Sequence, residues 1–369
     1  MSEIQKATIG KFYTKDTLRY TGNLSQLGGT KHYEFKEGSA KGTYAIDVDT
    51  GAGFTFTVIP DRGMDISRAT YKGRNLVYLS PHAEVNPAYY NPVGNEWLRT
   101  FFGGLLTTCG LTYFGSPCID NGEPLGLHGR HSGIPAKRFA DTSGWQDNRY
   151  TIELTGIVED AVLFGEKIRM TRKIGSAIGE RKLVISDVVE NFGSEDAPFV
   201  ILYHINPGFP LLDENSEFIV SAIECKPYDQ KSRMNMSKAG RFGKPVSRFQ
   251  EENFLYRIVP NTDGFGYAAL INRSLLGGIG LYIRFDITHL PFLSMWKMLG
   301  ENDYVVGMEP VSQKIESRST LREHGNIQYL KAGESKTFIV EIGILDGFEE
   351  INNFSEMIVG MLRKKVGHK

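Results

Sequence analysis

The fold of this chain is decided by residues 167–191, which read KIRMTRKIGSAIGERKLVISDVVEN. In Lys167–Ile174 and again in Lys182–Asn191, apolar residues alternate with polar ones. A period of two gives a strand one apolar and one polar face. Gly175–Gly179 is a turn between the two segments. The pattern therefore predicts long antiparallel strands that bury one face.

The same alternation continues on both sides of this stretch. Upstream, Thr43–Val48 and Phe54–Ile59 flank a glycine-rich turn and predict a hairpin. A second hairpin is predicted to pair Met64–Tyr71 with Leu76–Leu79. Residues 226–262 are irregular and charged, which favours a surface insertion. Further strands are predicted at 105–111, 150–156, 199–203, 267–271, 280–285, 292–297 and 335–345.

The two ends of the chain have a different character. Residues 1–40 form a polar lead-in, and residues 348–369 carry Ile351, Phe354 and Ile358 at helical spacing, which predicts an amphipathic helix. No low-complexity linker divides the chain. We therefore predict a mainly β protein, with one large antiparallel β-sandwich domain over residues 1–369 and few short helices.

Composition limits the classes of partner. The chain has 369 residues, 41% of them hydrophobic and 23% charged, and a formal charge of −1. This balance argues against a nucleic-acid partner, since phosphates need an excess of Lys and Arg. It favours an uncharged or weakly charged small molecule.

Three cysteines without a CxxC pair predict free thiols in a reducing compartment. The first residues lack the pattern of a signal peptide, and no apolar run is long enough to span a membrane. We therefore expect a cytoplasmic protein with no membrane partner.

Three stretches place ionisable residues next to Gly and Pro. Leu125–Ala136 contains His128, Leu202–Pro210 contains His204, and 305–312 contains Glu309. Each lies where an apolar run meets a residue that disfavours regular structure. Such junctions on a rigid scaffold are frequent positions for binding and catalytic groups.

A histidine and a carboxylate that meet across a sandwich could act together on a sugar hemiacetal. Protonation of the ring oxygen by His204 and deprotonation of the anomeric hydroxyl by Glu309 would open the ring, and reclosure would give the other anomer. General acid–base catalysis suits such a reaction, and it needs no metal or other cofactor. It requires His204 to be protonated and Glu309 to be ionised.

The order of these motifs resembles that of the aldose 1-epimerases (the galactose mutarotase family). The matching residues are Leu127-His128-Gly129, then Tyr203-His204, then Glu309-Pro310. Segments 61–66, 103–111 and 128–130 resemble a branch of that superfamily whose function is mostly unknown. The resemblance covers roughly residues 40–345. It implies the galactose mutarotase-like super-sandwich, with His204 as general acid, Glu309 as general base and His128 bound to sugar hydroxyls.

The remaining pocket residues are less well marked. The family's arginine has no clear counterpart, so Arg62, Arg99 or Arg130 could replace it. Asp229 is the candidate for its substrate-binding aspartate. Trp296 could stack on a sugar, or it could be a core aromatic. The expected substrate-binding residues are His128, Arg62, Arg130, Asn206, Asp61 and Trp296.

We therefore expect an aldose 1-epimerase-like isomerase that acts on a small sugar. The alternatives are a non-catalytic carbohydrate-binding protein, or another isomerase, epimerase or lyase for acidic or phosphorylated sugars. A metal site formed by His128, His131, His204 and Glu309 is a further alternative, although nothing in the spacing enforces it. The sequence leaves the oligomeric state open, a homodimer included.

Overall fold

The computed structural model describes residues 14–366, which contain twenty-four β-strands and three α-helices. The first twelve strands are β1 (Gly29–Glu34), β2 (Tyr44–Asp49), β3 (Phe54–Ile59), β4 (Asp65–Tyr71), β5 (Arg74–Asn75), β6 (Thr107–Leu111), β7 (Cys118–Asp120), β8 (Glu123–Leu125), β9 (Lys137–Asp141), β10 (Gly144–Gln146), β11 (Arg149–Ala161) and β12 (Lys167–Ala177). The others are β13 (Lys182–Asn191), β14 (Ala197–Pro198), β15 (Val200–His204), β16 (Ser216–Val220), β17 (Ala222–Pro227), β18 (Glu252–Ile258), β19 (Phe265–Asn272), β20 (Ile279–Asp286), β21 (Phe292–Leu299), β22 (Tyr304–Val311), β23 (Tyr329–Leu330) and β24 (Ser335–Asp346).

The helices are few. The α-helices are α1 (Gln230–Met234), α2 (Arg318–Glu323) and α3 (Phe348–Val366). Short 3₁₀ helices span Lys15–Tyr20, Leu24–Gln26, Gly38–Ala40, Pro87–Tyr89, Glu96–Arg99, His131–Gly133 and Met236–Lys238. In the part of the chain described, no helix is both long and apolar enough to cross a membrane.

Three large antiparallel sheets make up the fold. A five-stranded sheet runs β1-β2-β3-β4-β5, and a nine-stranded sheet runs β10-β11-β12-β13-β24-β20-β19-β16 with β9 added beside β11. A six-stranded sheet runs β17-β18-β21-β22-β15-β6. The pairs β14-β23 and β7-β8 form two small ribbons.

The largest apolar cluster joins all three sheets. It contains Val58 of the five-stranded sheet, Ile185 and Ile342 of the nine-stranded sheet, and Met295 and Met308 of the six-stranded sheet. Because alternate residues of each strand point to opposite faces, one face of each sheet is buried in this cluster. The fold is therefore a β-sandwich.

A buried ion-pair network ties the sheets together. Arg172 of β12 donates hydrogen bonds to Asp187 of β13 at 2.9 and 2.7 Å and to Asp65 of β4 at 3.1 Å. It also donates to Thr108 of β6 at 2.9 Å, and Tyr203 of β15 donates to Asp187 at 2.7 Å. Paired and hydrogen-bonded charges are the form in which buried ions persist. The network fixes β6 and β15 against the nine-stranded sheet.

The outer face of the six-stranded sheet carries the second apolar cluster. Cys109, Leu202 and Val311 belong to it, whereas their strand neighbours Ile201 and Tyr203 belong to the inner cluster. Residues 90–101 and 113–128 cover this face and enclose a cavity on it.

The predicted sandwich is confirmed, and three local predictions differ from the structure. Strand β4 is paired at its end with Arg74–Asn75 rather than with residues 76–79. The segment 226–262 is not wholly irregular, because β18 lies inside the six-stranded sheet. Glu309 lies within β22 rather than in a loop. The predicted helix is present as Phe348–Val366, while residues 1–13 of the predicted lead-in and 367–369 of the predicted helix lie outside the described residues.

Candidate active site

A cavity of about 470 Å³ opens on the outer face of the six-stranded sheet. It is lined by aromatic rings, by two histidines and two glutamates, and by small polar and apolar residues. The lining residues are Asn95, Trp97, Leu98, Phe101, Gly115, Ser116, Pro117, Leu127, His128, His204, Tyr228, Glu251, Asn253, Ser294, Trp296, Glu309 and Ile315. Mostly apolar pockets of this size with a few converging polar groups are typical ligand sites.

Strand register places the two central ionisable groups face to face. Leu202 pairs with Val311 across β15 and β22, and Ile205 forms a bridge with Met308. This register sets His204 directly opposite Glu309. The distance from His204 Nε2 to Glu309 Oε1 is 3.2 Å. Both residues are nearly inaccessible, with 5% and 2% of their surface exposed.

The neighbouring strand residues leave room for the carboxylate. A Cβ atom on Gly307, two residues before Glu309, would lie 2.2 Å from Glu309 Oε1. Glycine is therefore the residue that lets this carboxyl group lie along the strand. Ser294 stands opposite Glu309 in the pairing of β21 with β22, and its side chain hydrogen-bonds to Glu309 and to Tyr228.

Burial decides the protonation of the pair. It raises the pKa of Glu309 to about 8; the Ser294 hydrogen bond lowers that pKa and the negative charge of Glu251 raises it. Burial lowers the pKa of His204 to about 3, and His128 lowers it further. At neutral pH the pair therefore holds a single proton, on Glu309. This differs from the expectation of a protonated histidine and an ionised glutamate, because both charged forms lose solvation in the cavity.

The pair has unused hydrogen-bonding capacity. Among protein atoms of the described chain, Glu309 Oε1, His204 Nδ1 and His128 Nδ1 have no hydrogen-bond partner. The contact between His204 Nε2 and Glu309 Oε1 has the distance of an ion pair but not the alignment of a hydrogen bond. Buried polar atoms are usually satisfied, so unpaired ones on residues that line a cavity indicate a site for a ligand.

His128 approaches the pair from a loop. Its φ of 57° is in the left-handed region, which is uncommon outside glycine. The loop packs tightly on β6, since Gly110 N donates to the His128 carbonyl and a Cβ on Gly129 would lie 2.3 Å from the Gly110 carbonyl. The His128 ring lies edge-on to His204, with centroids 6.1 Å apart, and burial lowers its pKa to about 4.

Aromatic side chains form the walls of the cavity. Trp97 and Phe101 are stacked with centroids 4.5 Å apart, and Phe101 lies 5.3 Å from the His204 ring. On the other side, Trp296 is edge-on to His204 at 5.5 Å, and its Nε1 donates to Glu251 at 2.8 Å. Aromatic faces beside polar groups suit the apolar faces and hydroxyls of a sugar.

The structure brings together four of the eight residues expected in the site. His204, Glu309, His128 and Trp296 all line the one cavity. His131 is buried elsewhere, with Nε2 3.2 Å from the Gly63 carbonyl oxygen.

The expected role of Arg62 in the pocket is corrected. Arg62 is 1% exposed, and it donates to the backbone carbonyls of Ser132, of Val85 at 2.7 Å and of Thr100 at 2.9 Å. Its three nitrogens each donate to main chain, so it anchors residue 100 of the cover together with the chain next to the covering segments. Its neighbour Asp61 accepts from Tyr44 N at 2.8 Å and likewise does not line the cavity.

Asn206 and Arg130 are also outside the cavity. Asn206 is fully buried and donates to the carbonyls of Gly103 at 3.0 Å and of His204 at 2.8 Å, so it supports the strand end that carries His204. Arg130 is exposed and faces Asp160 at 3.9 Å in a separate crevice.

The alternatives named for the missing arginine and aspartate also lie away from the site. Arg99 is exposed and pairs with Glu96 at 3.0 Å. Asp229 caps the N-terminus of α1 by accepting from Ser232 N.

Sequence reasoning missed several lining residues. Glu251 directly precedes β18 and Asn253 lies within it, in a segment that the sequence pattern predicts to be an irregular insertion. The alternation of Phe254, Tyr256 and Ile258 was the available signal for that strand. Tyr228 and Ser294 gave no local signal, since only strand pairing brings them to Glu309.

The metal alternative has no support from the geometry. Within residues 14–366, no group of three or more His, Cys, Asp or Glu side chains is arranged to hold a metal ion. The three cysteines are unpaired, as expected.

Comparison with known families gives one clear match. The family model described as Domain of unknown function (DUF4432) matches residues 40–344. The search of curated proteins finds no significant match.

Solved structures with the same architecture span most of the chain. A protein from Klebsiella pneumoniae named "putative aldose 1-epimerase" is 22% identical, with a TM-score of 0.83 over 95% of this chain and 91% of its own. A galactose mutarotase-like protein from Clostridium acetobutylicum is 12% identical, with a TM-score of 0.62 over 87% and 99%. A galactose 1-epimerase from Lactobacillus acidophilus is 12% identical, with a TM-score of 0.55 over 87% and 100%. Identities this low establish the fold alone.

Proposed function

Because the chain belongs to the DUF4432 family of domains of unknown function, we propose an activity from the chemistry of its site: the protein is an aldose 1-epimerase-type isomerase that interconverts the anomers of a free sugar. The observation that carries the proposal is the opposed pair of His204 and Glu309, 3.2 Å apart in an aromatic-walled cavity. The names of the fold neighbours point to the same class of reaction.

The reaction balances with one shared proton. In the reactive form, His204 donates a proton to the ring oxygen as the bond from that oxygen to the anomeric carbon breaks. Glu309 accepts the proton of the anomeric hydroxyl, which becomes the aldehyde oxygen. Rotation about the adjacent carbon–carbon bond presents the other face, and the reverse transfers close the ring. No group is gained or lost by the sugar.

The pair can supply both roles because it holds a single proton. Burial places that proton on Glu309 in the open cavity. Moving it to His204 creates a charge pair within the site while leaving the net charge unchanged. The hydroxyls of the bound sugar can form the hydrogen bonds that water would otherwise form with this charge pair. His128 Nδ1 is available to bind one of these hydroxyls.

The proposal is tested by anomer exchange in the full-length protein. Saturation-transfer NMR on a panel of free aldoses, with the spontaneous rate subtracted, is expected to show acceleration by the wild type. His204→Ala and Glu309→Gln should each reduce kcat/KM by at least about a hundredfold, as expected for loss of a general acid or base. The matched controls His324→Ala and Glu301→Gln, at exposed positions outside the cavity, should leave the rate unchanged.

A wild-type protein that binds sugars without accelerating exchange would overturn the isomerase assignment in favour of a carbohydrate-binding protein. Undiminished catalysis in both site variants would overturn the assigned residues.

A further inference from the structure

The cavity has a distinctive charge. Its lining includes two carboxyl side chains, Glu251 and Glu309, whereas no lysine or arginine of residues 14–366 lines it. Acidic and phosphorylated sugars are normally bound by arginine or lysine, which match carboxylate and phosphate oxygens. The site lacks that recognition chemistry and presents the opposite sign.

Glu251 is held in place with one oxygen committed. Trp296 Nε1 donates to Glu251 Oε2 at 2.8 Å. The exposed Glu251 forms no ion pair with another side chain in the described part of the structure. Glu251 also lines the cavity, and its negative charge acts on Glu309.

Two lysines lie near the rim, and both have other partners. Lys231 donates to the Gln250 carbonyl and lies 4.4 Å from the centre of the Phe249 ring. Lys314 pairs with Glu316 and lies 5.9 Å from the centre of the Tyr228 ring. Neither lies within ion-pair distance of Glu251 in the described residues, so a ligand in the cavity meets a carboxylate without a direct ionic partner.

We propose that this pocket selects sugars by charge and that Glu251 is the specificity-determining residue. The pocket favours amine-bearing aldoses over their neutral parents and rejects uronic acids and sugar phosphates. The inference rests on the proposed function, whose substrate class it names. An ammonium group gains from the Glu251 carboxylate and from the aromatic faces of the walls. An anionic sugar loses its hydration and meets like charge without a compensating donor.

The test measures binding separately from turnover. The full chain is titrated by NMR with matched sets of sugars built on glucose, galactose and mannose. Each set contains an amino sugar, its neutral parent, its uronic acid and its 6-phosphate. The pH is kept below neutral, where the amine is charged. For wild type, the amino sugar should bind about threefold more tightly than the parent, the gain expected for an exposed ion pair. The anionic members should bind at least about threefold more weakly than the parent, because they meet like charge of the same magnitude.

The comparison with Glu251→Gln isolates the charge, because glutamine can still accept the hydrogen bond from Trp296. In this variant the preference for the amino sugar should vanish and the anionic sugars should bind more tightly than they do to wild type. Added salt should weaken the wild-type preference, since exposed charges are screened. The control Glu301→Gln, also an exposed glutamate and outside the cavity, should keep the wild-type order.

Equal binding of amino and neutral sugars by wild type, or an unchanged order in Glu251→Gln, would overturn the charge selection. If amino sugars bind more tightly than neutral sugars and anionic sugars bind least, while anomer exchange is not accelerated, only the proposed function fails. If no member binds, both fail.

Discussion

At His204 and Glu309, burial opposes charge on both groups and gives the pair one proton in place of a preformed ion pair. Within residues 14–366, neither partner forms an ion pair with a third residue, and the charge that acts on Glu309, that of Glu251, is negative. A carboxyl with a raised pKa in an enclosed cavity is frequent at functional sites. The two groups titrate as a unit, so the number of protons on the pair is the quantity that controls activity.

The pH profile follows from that proton count. The raised pKa of Glu309, about 8, means that the pair loses its only proton as the pH rises through that value, after which His204 has none to donate. The lowered pKa of His204, about 3, means that the singly protonated form persists far into acid. We expect kcat/KM for anomer exchange to be level from mildly acidic to neutral pH and to fall about tenfold per pH unit well above 8.

Initial rates measured across this range, with the uncatalysed exchange subtracted at each pH, check the prediction. A rate that falls below pH 6 and stays level in alkali would contradict the prediction, because activity would then not need the proton that the pair loses above pH 8.

At the scale of elements, the site is assembled by strand pairing and by the anchoring of its covering segments. The pairing of β15 with β22 sets His204 against Glu309, while β21 contributes Ser294 and Trp296. The cover comes from chain segments outside the sheet. Arg62 helps to fix it by donating to the Thr100 carbonyl within residues 90–101 and to the Val85 and Ser132 carbonyls beside the covering segments. Arg62 is therefore a positioning residue.

Arg62→Lys tests this anchoring. Lysine keeps the charge but not the planar fork, so buried carbonyls lose their donors, at about 1–3 kcal/mol each. We expect the free energy of unfolding, measured with urea, to fall by about 2–4 kcal/mol. KM for the sugar should rise more than kcat falls, because Phe101 and His128 form the walls rather than the proton-transfer pair.

Arg74→Lys, at an exposed position, is the control and should change neither quantity. Normal stability and KM in Arg62→Lys would show that the covering segments hold their place without it.

At the scale of the whole molecule, the two outer faces of the sandwich have different roles. The outer face of the six-stranded sheet carries the cavity. On the nine-stranded sheet, α3 packs Ile351 and Phe354 against Ala269, Ile271 and Leu345 in a third apolar cluster. The helix thereby covers apolar surface on the other sheet.

Ile351→Ala should separate stability from activity. Ile351 is fully buried, and the loss of its side chain is expected to lower the free energy of unfolding by about 2–4 kcal/mol. Because the cavity lies on the other sheet, kcat and KM should stay within about twofold of wild type. Urea unfolding and anomer exchange measure the two effects. The exposed helix residue Asn353 provides the control as Asn353→Ala, and a changed KM in Ile351→Ala alone would reveal coupling between the faces.

The sequence by itself determined the strands and the sandwich, because alternation is a local property that fixes which side chains must be buried. Lys167–Ile174 and Lys182–Asn191 show it, and they form β12 and β13. It also marked His128, His204, Glu309 and Trp296, which meet in one cavity.

Tertiary structure alone decided which strands pair, in which register, and what the remaining polar residues contact. Periodicity states which face of a strand is buried but not which strand lies beside it, and a shift of one residue would turn Glu309 to the other face. For the same reason Arg62 gave no sign that its partners are main-chain carbonyls, and Glu251 gave no sign of the cavity. Contacts between residues far apart in the chain depend on tertiary packing. The charge and specificity proposed for this site come from those contacts.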